Sequence, residues 1–232
     1  MNIKILQLIE GAKQATGVTV VIDVFRAFTV EAYLMSQGAE KIFPVGDIDF
    51  AYKYKEENPE TLLVGERHGK MCKGFDFGNS PMQFVGKDFS GKTVIHTTSA
   101  GTQGIANATN AEVLLTGSLT NAKAVAEYIK SIGATDVSLV CMGLEALAPT
   151  EEDTLCAEYI KSILEGKPLD LKEEIENLRI TSGAKFFDEA QKDVFPEEDF
   201  HLSTKVDIFP FVLRVYKDEN GMNYVKKIDV KL

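Results

Sequence analysis

Two polar side chains at the end of an apolar run could act together on a phosphate group. The run Val20-Val21-Ile22 is followed by Asp23, and Arg26 comes three positions later. A buried carboxylate is unfavourable unless it pairs with a cation or binds a metal ion. Asp23 is therefore a candidate metal ligand or nucleophile, with Arg26 as a candidate phosphate-binding residue. A buried structural Asp–Arg pair is the alternative.

A second stretch, TTSAGTQG at 97–104, is rich in hydroxyl groups and glycines. The N–H and hydroxyl groups of such a turn can bind an oxyanion. The candidates are Thr98, Ser99, Gly101 and Thr102. An ordinary turn with threonine caps fits the same residues. His96, just before this stretch, is expected to be a packed strand residue rather than a catalyst.

A third group, Glu151, Glu152 and Asp153, follows Pro149 and Thr150. The proline and the capping-box-like spacing from Thr150 to Asp153 predict the start of a helix. Glu152 and Asp153 are candidate Mg²⁺ ligands, because proteins commonly hold Mg²⁺ with one or two carboxylates and substrate phosphate. Acidic residues are also common at helix starts, so capping alone is the alternative.

A long loop, GERHGKMCKGFDFGNSP at 65–81, carries a cluster of basic side chains. They are Arg67, His68, Lys70 and Lys73. In a chain with a formal net charge of −10, such a cluster suits a small polyanion. Long ordered loops with charged, aromatic and glycine residues are often functional. A solvated run of charges is the alternative.

The elements that would position these residues alternate between strand and helix. Strands are predicted at 17–25, 40–45, 61–65, 92–98, 111–117 and 136–143, and helices at 27–38, 47–58, 101–109 and 121–133. This order predicts an α/β fold with a mostly parallel sheet covered by helices. Ligands bind outside the carboxyl ends of such strands, which is where the three polar groups are expected to converge.

The character of the chain changes after Pro168. The stretch from there to about Phe200 is charged and is predicted to be helical, and extended segments follow around a turn at Asn220-Gly221. We therefore expect a smaller C-terminal α+β portion at 168–232 within one integrated domain that spans 1–232.

One motif match is expected to have no function. GKDFSGKT at 86–93 fits the nucleotide-binding pattern G-x-x-x-x-G-K-[ST]. That pattern binds phosphate when a helix follows the loop. Here the β-branched run from Thr93 to Thr98 predicts a strand instead. We expect a turn that leads into this strand.

Bulk composition narrows the class of protein. The charge of −10 argues against nucleic-acid and anionic-membrane partners. The three cysteines show no C-x-x-C spacing and suit a reducing cytosol, and no apolar segment has the length of a signal peptide or membrane span. We expect a cytoplasmic protein that binds a small polyanionic substrate. Whether it forms a homo-oligomer is left open.

Together these motifs resemble a known family. VVIDVFRA, GERHGKMCKGFDFGNSP, TTSAGTQG and EEDTLCAEYI occur in the order and spacing of the 2-phosphosulfolactate phosphatase family, over essentially the whole chain. The resemblance implies an α/β fold and Mg²⁺-dependent hydrolysis of (R)-2-phospho-3-sulfolactate to 3-sulfolactate and phosphate, a step toward coenzyme M. The family commonly has Thr-Asn-Gly-Thr where residues 99–102 read SAGT, and a glycine where His68 stands, so no Asn role or catalytic histidine is implied.

The resemblance and the residues together suggest a role for each candidate. The expected Mg²⁺ ligands are Asp23, Glu152 and Asp153. The expected phosphate-binding residues are Thr98, Ser99, Gly101 and Thr102, with Arg26 balancing the charge of the transferring phosphoryl group. Glu66 or Asp23 is the candidate general base. Arg67 and Lys73 would face the sulfonate and carboxylate, while Asn79 and Ser80 would shape the pocket or donate hydrogen bonds.

Three other functions stay open. A phosphatase with an aspartate nucleophile of the haloacid-dehalogenase type normally has a second Asp two positions later, where this chain has Phe25. The substrate could be another phospho-2-hydroxy acid. A non-catalytic protein that binds small anions would not require Glu152 and Asp153, and its binding should persist in EDTA.

Overall fold

The computed structural model of the protein describes residues 1–167 and 169–232. In this part of the chain, ten strands form one sheet that eight α-helices flank. The strands are β1 (Asn2–Gln7), β2 (Gly17–Ile22), β3 (Lys41–Pro44), β4 (Leu62–Arg67), β5 (Lys70–Met71), β6 (Thr93–Thr97), β7 (Ala111–Gly117), β8 (Asp136–Cys141), β9 (Phe211–Lys217) and β10 (Asn223–Asp229). The helices are α1 (Leu8–Gln14), α2 (Ala27–Ser36), α3 (Ile48–Glu57), α4 (Gly101–Asn107), α5 (Ala122–Ser131), α6 (Glu151–Leu164), α7 (Lys172–Leu178) and α8 (Glu197–Ser203).

Two groups of parallel strands make up most of the sheet. One has the order β1-β8-β2-β7 and the other β3-β6-β4. The antiparallel hairpin of β9 and β10 lies between them, pairing with β7 on one side and β3 on the other. The short strand β5 adds an antiparallel edge to β4. The predicted α/β fold with a mostly parallel, helix-covered sheet is confirmed.

The C-terminal portion contributes strands to the sheet as well as helices outside it. β9 and β10, the extended segments predicted around Asn220-Gly221, form the central hairpin. The charged stretch before them is less helical than predicted. Helix α7 ends at Leu178, whose carbonyl accepts a hydrogen bond of 2.8 Å from Gly183 as the chain turns. Pro168, the predicted start of this portion, lies outside the described residues.

The junction between β2 and α2 lies in the protein interior. All residues of β2 are buried, as expected of a β-branched strand with both faces covered. Helix α2 is buried from Ala27 to Met35, and a helix buried on all sides lies inside a protein rather than on its surface. Asp23 and Arg26, which lie between the two elements, are therefore held by a rigid part of the core.

The sheet curves enough to bring the two groups of strands to one site. Four strands lie between β2 and β6 in the sheet order, which would separate them by about 24 Å in a flat sheet. The loops after both strands nevertheless line one cavity. Glycine makes the close packing possible, because a Cβ at Gly104 in α4 would overlap Val21 and the sulfur of Met142. Helix α4, which follows β6, thus packs directly on β2.

None of the helices in the described part of the chain is both long and apolar enough to cross a bilayer. The thiols of Cys72, Cys141 and Cys156 are buried and unbonded to one another.

The nucleotide-binding match leads into a strand, as expected. Turns precede Thr93, where β6 begins, and the first helix after it, α4, starts at Gly101. The ammonium of Lys92 lies 3.6 Å from the carboxylate of Glu60 in an exposed ion pair. Lys92 thus has a surface partner and no helix N-terminus beside it.

We predict that this protein does not bind ATP through Lys92. Titration of the wild type and of Lys92→Ala with ATP, followed by calorimetry, should show no saturable binding to either. The variant should differ in unfolding free energy by less than about 0.5 kcal/mol, since exposed ion pairs contribute little. Saturable ATP binding that Lys92→Ala abolishes would contradict this interpretation.

Candidate active site

A cavity of about 130 Å³ lies at the carboxyl ends of β2, β4, β6 and β8. It is lined by Asp23, Phe25 and Arg26 after β2; Glu66, His68, Gly69 and Asn79 from β4 and the loop after it; Thr98, Ser99 and Ala100 after β6; Gly143, Leu144, Glu145, Thr150 and Glu152 after β8; and Lys185 and Phe195 from the C-terminal portion. This is the position where ligands bind in open parallel sheets.

The cavity brings together only part of the predicted site. The predicted residues that line it are Asp23, Arg26, Glu66, Asn79, Thr98, Ser99 and Glu152. Those that do not are Arg67, Lys73, Ser80, Gly101, Thr102 and Asp153. The contacts of each residue show why the two sets differ.

Asp23 is a buried carboxylate with one backbone donor. Its Oδ1 accepts a hydrogen bond of 3.1 Å from the N–H of Ala27 at the start of α2. Burial is the main cause of a pKa raised to about 7, and the charges of Glu66 and Glu152 add to it, while the Ala27 hydrogen bond and His96 oppose it. Without a cation, Asp23 therefore carries a proton over much of the neutral range.

Glu152 is buried beside the cavity with an oxygen that lacks a partner. Its side chain is 3% exposed, and Oε2 accepts no hydrogen bond from the described residues. Burial raises the pKa of Glu152. The hydroxyls of Thr150 and Ser182 are also buried and form no hydrogen bond of ordinary geometry within this part of the chain, yet they lie close enough to Glu152 to oppose the effect of burial on its pKa. A buried polar atom without a partner is unfavourable, so Glu152 is suited to a ligand.

Asp153 has a structural position instead of the predicted place in the cavity. Its Oδ1 accepts from the N–H of Val24 and its Oδ2 from the N–H of Gly143, each at 2.8 Å. The carboxylate thereby joins the loop after β2 to the loop after β8. Burial and the charges of Glu152 and Asp23 raise its pKa. Asp153 does not line the cavity, so its predicted role as a direct Mg²⁺ ligand stays a prediction.

Glu66 joins two loops while facing the cavity. Its Oε1 accepts a hydrogen bond of 2.8 Å from the N–H of Ser99, and its Oε2 accepts from the N–H of Gly69 at 2.7 Å and from the hydroxyl of Ser99 at 3.3 Å. Ser99 lines the cavity as predicted, yet its N–H and hydroxyl bind Glu66 rather than pointing toward an open phosphate site.

The rest of the hydroxyl-rich turn packs inward. The hydroxyl of Thr102 donates to the carbonyl of Thr98, and its N–H donates to Thr98 Oγ1 at 3.3 Å. A Cβ at Gly101 would lie 3.1 Å from Asp23 Oδ2 and 3.0 Å from Phe28 Cζ. Gly101 and Thr102 therefore hold the turn against α2 instead of contacting the cavity, whereas Thr98 keeps a hydroxyl proton for a ligand.

Arg26 pairs with Asp199, a residue that no sequence motif had indicated. Its Nη1 lies 2.7 Å from Asp199 Oδ2, and both side chains are buried. Arg26 also donates to the carbonyls of Val194 and Gly69. The hydroxyl of Ser80 donates to the other oxygen of Asp199 at 2.8 Å. Arg26 lines the cavity, but its charge is already balanced, and Ser80 acts through Asp199 from outside.

The predicted sulfonate and carboxylate partners, Arg67 and Lys73, do not line the cavity. Arg67 donates to the carbonyls of Glu66 and Gly46 and to the hydroxyl of Thr97. Lys73 is exposed outside the cavity. Successive side chains of a strand point to opposite faces, so Arg67 must point away from the side of β4 that Glu66 faces.

Asn79 is held in the cavity wall by a buried chain of hydrogen bonds. Its Oδ1 lies 3.1 Å from His96 Nε2, and His96 Nδ1 lies 3.0 Å from Glu31 Oε1. His96 and Glu31 are both fully buried. His96 is a packed strand residue, as predicted, and its contact leaves the amide N–H₂ of Asn79 to donate to a ligand.

Lys185 and Asp199 are the site residues that sequence reasoning missed. Lys185 lines the cavity, and burial is the main cause of its lowered pKa, which the charge of Glu152 opposes. The turn residues Thr181-Ser182-Gly183 were the available signal that the helix ends before Lys185. Asp199 offered no signal, because an acid in the first turn of α8 is common without a buried partner.

The cavity has more negative than positive groups. It is lined by the carboxylates of Asp23, Glu66, Glu145 and Glu152, against Arg26, which Asp199 already neutralises, Lys185, and His68, which pairs with Glu145. In residues 1–167 and 169–232, no three His, Cys, Asp or Glu side chains are arranged to hold a metal ion by themselves. Asp23 and Glu152 fit Mg²⁺ even so, because Mg²⁺ needs only one or two carboxylates besides water and phosphate.

Comparison with known proteins gives a consistent match. The sequence model of the family described as 2-phosphosulpholactate phosphatase matches residues 3–218. A relative from Bacillus subtilis (strain 168), named "Probable 2-phosphosulfolactate phosphatase", is 34% identical over 220 residues, which is 94% of this chain and 95% of the relative. Relatives of the same name from Carboxydothermus hydrogenoformans (40% over 176 residues; 75% and 72%) and Thermoplasma volcanium (30% over 178 residues; 76% and 82%) also match. The resemblance inferred from the motifs is confirmed.

We predict that Asp23 makes the metal-free protein less stable as the pH rises. Its pKa is about 7 in the folded protein, against an ordinary value of 3.8 for an aspartate. The folded state therefore binds the extra proton between these values, and stability falls as pH rises from about 4 to 7. Each unit of difference corresponds to about 1.4 kcal/mol. Asp23→Asn, which keeps the acceptor for Ala27, should exceed the wild type in unfolding free energy at pH 8 in EDTA, and this advantage should be clearly smaller at pH 5.

Urea unfolding at both pH values would measure this difference. Glu219→Gln removes an exposed carboxylate and is the control, for which no pH-dependent gain is expected. An Asp23→Asn variant with the same difference from the wild type at pH 5 and pH 8 would contradict the raised pKa of Asp23.

Proposed function

This chain belongs to the 2-phosphosulfolactate phosphatase family, and we propose that it hydrolyses (R)-2-phospho-3-sulfolactate to 3-sulfolactate and phosphate with Mg²⁺ as cofactor. The product would lead toward coenzyme M. We place the enzyme in the cytoplasm, where reducing conditions suit its three buried thiols. The observation that carries the proposal is the pair of buried cavity carboxylates, Asp23 and Glu152: burial raises the pKa of both, and Oε2 of Glu152 accepts no hydrogen bond from the described residues.

The charge of the substrate supports a cation in this cavity. Phosphate, sulfonate and carboxylate together bring about four negative charges, and two like charges 4 Å apart repel by about 4 kcal/mol at an effective dielectric constant of 20. Lys185 alone does not offset this repulsion, because Arg26 is paired with Asp199. Binding of a polyanion beside Asp23 and Glu152 therefore requires added positive charge.

Asp23 and Glu152 are the residues that would hold Mg²⁺, with water and the substrate phosphate as the other ligands. When bound, Mg²⁺ would neutralise charge on the phosphoryl oxygens as the P–O bond breaks. Asp153 supports both carboxylate-bearing segments, since it binds the N–H groups of Val24 and Gly143 on either side.

Around the phosphate, some protein groups can donate hydrogen bonds to it and others close the wall of the cavity. The hydroxyl of Thr98 and the amide N–H₂ of Asn79 can each donate to a phosphoryl oxygen, and His96 fixes the orientation of Asn79. Preorganised donors of this kind stabilise charge that develops in the transition state. Arg26 closes this wall of the cavity through its bonds to Asp199, Val194 and Gly69.

Attack on phosphorus needs a nucleophile and a base. In the mechanism that we favour, water attacks, the ester P–O bond breaks, and the leaving alkoxide receives a proton. Glu66 is the candidate base, because a carboxylate has about four acceptor positions and Glu66 uses three of them on Ser99 and Gly69. Direct attack by Asp23 is the competing mechanism, and it would give an acyl-phosphate.

We predict that phosphate release depends on Mg²⁺ held by Glu152. Exhaustive EDTA treatment should abolish phosphate release from (R)-2-phospho-3-sulfolactate, and added Mg²⁺ should restore it. Glu152→Gln should raise the half-saturating Mg²⁺ concentration by at least about tenfold, since even outer-shell partners typically contribute 10–100-fold to metal affinity. The matched control is Glu151→Gln, which removes the exposed acid one position earlier and should behave as the wild type.

Assays against other phosphorylated 2-hydroxy acids would test the substrate. Full activity in metal-free buffer would overturn the metal-dependent mechanism. If Glu152→Gln and Glu151→Gln have the same half-saturating Mg²⁺ concentration, Glu152 does not hold the metal ion. A faster reaction with a phospho-2-hydroxy acid that lacks the sulfonate would overturn the substrate while leaving the phosphatase activity in place.

We predict that Asp23 acts as a metal ligand and not as a nucleophile. Asp23→Asn should weaken the apparent affinity for Mg²⁺, and high Mg²⁺ should restore part of the rate, because an amide oxygen is a weaker ligand. Rapid quench of the wild type with labelled substrate should trap no phospho-enzyme. A hydroxylamine-labile phosphate mapped to Asp23, together with no rescue by Mg²⁺, would establish the covalent mechanism instead.

A further inference from the structure

Lys185 is the one lysine that lines the cavity of the described chain. It lies two residues after Gly183, where an added Cβ would overlap the carbonyl of Leu178 and the ring of Phe200. The ion pairs recorded at the cavity join Arg26 to Asp199 and His68 to Glu145, and in the described residues Lys185 takes part in neither. Among the described residues this half-buried ammonium forms no ion pair, and the nearby charges of Glu152 and Asp23 only oppose the lowering of its pKa.

The surroundings of Lys185 strengthen its attraction for an anion. Its ammonium lies 5.3 Å from the ring centre of Phe195, 5.6 Å from that of Phe186 and 6.0 Å from that of Phe25. These rings displace water from around the charge, and electrostatic attraction is stronger where water is excluded. Burial also lowers the pKa of Lys185, which is the expected effect of lost hydration.

The guanidinium groups near the site already donate to protein acceptors. Arg26 binds Asp199 and two carbonyls, and Arg67 binds Glu66, Gly46 and Thr97. In the proposed reaction, Asp23, Glu152, Thr98 and Asn79 already account for the phosphate. The other anionic groups of the substrate therefore need a different cation.

We propose that Lys185 binds the sulfonate of the substrate and is the residue that selects for it. This inference rests on the proposed function, which it extends from phosphate hydrolysis to the recognition of a second anionic group. An ammonium has three donors and a sulfonate has three acceptor oxygens, so one lysine can engage the group without a second cation. The aromatic wall suits a tetrahedral monoanion whose carbon end is apolar.

Three substrates separate the possible partners of Lys185. The first is (R)-2-phospho-3-sulfolactate, the second is 2-phospholactate, which lacks the sulfonate, and the third is 1-sulfopropan-2-yl phosphate, which lacks the carboxylate. For Lys185→Met, kcat/KM should fall about ten- to a hundredfold with both sulfonated substrates, as expected for a lost charged hydrogen bond, and stay close to wild type with 2-phospholactate. Lys185→Arg should keep part of the preference for the sulfonate.

Lys192→Met is the matched control, since Lys192 is an exposed lysine on the same segment that pairs with Glu189. It should leave all three values unchanged. Equal losses with all three substrates would overturn the proposal, because Lys185 would then bind phosphate or support the fold. A loss confined to the two carboxylated substrates would assign Lys185 to the carboxylate and overturn it as well.

Calorimetric binding of 3-sulfolactate and of lactate to the wild type and Lys185→Met separates this inference from the proposed function. If the wild type hydrolyses none of the three esters, the proposed function fails. The sulfonate site is then still tested, since a preference for 3-sulfolactate over lactate that Lys185→Met removes would support it. No such preference in the wild type would contradict it.

Discussion

The accumulation of buried carboxylates where β2, β4 and α6 meet constrains the rest of the structure. Desolvation raises the pKa values of Asp23, Glu152 and Asp153, and repulsion from neighbouring carboxylates adds to it for Asp23 and Asp153. Asp153 receives two backbone N–H groups and Glu66 receives two, together with a hydroxyl. Asp23 has one, and Glu152 Oε2 has none among the described groups. Asp153 and Glu66, which accept more hydrogen bonds from the protein, hold the loops in place, whereas Asp23 and Glu152 have oxygens free to bind a ligand.

The fold provides the rigidity that keeps such charges together. The β9–β10 hairpin joins two parallel groups of strands into one curved sheet, so loops from distant strands meet at one cavity. Close packing at Gly101 and Gly104 presses the turn after β6 onto α2 and β2. The buried pair of Arg26 and Asp199 ties the C-terminal portion to the same place, and removal of one member of such a pair is strongly destabilising. That portion also places Lys185 in the wall of the cavity.

The sequence was sufficient to predict the parallel sheet and to predict that polar residues at the strand ends converge at one site. It placed Asp23, Glu66, Thr98 and Glu152 at one site because each follows or ends an apolar strand, or begins the next helix. It failed for Arg67, since composition marks a basic loop but not the direction of a strand side chain. Lys185 and Asp199 depend on tertiary packing of the C-terminal portion, which no local pattern specifies.

The central claim is that Asp23 and Glu152 bind a divalent cation together. Anomalous X-ray scattering from a crystal soaked with Mn²⁺ and inorganic phosphate tests it most directly, since Mn²⁺, like Mg²⁺, prefers carboxylate and water oxygens. We expect one strong peak between the carboxylates of Asp23 and Glu152, from an ion that also contacts the bound phosphate. A peak bound by Asp153 without Glu152, or no peak in the cavity of an enzyme that requires the metal, would contradict it.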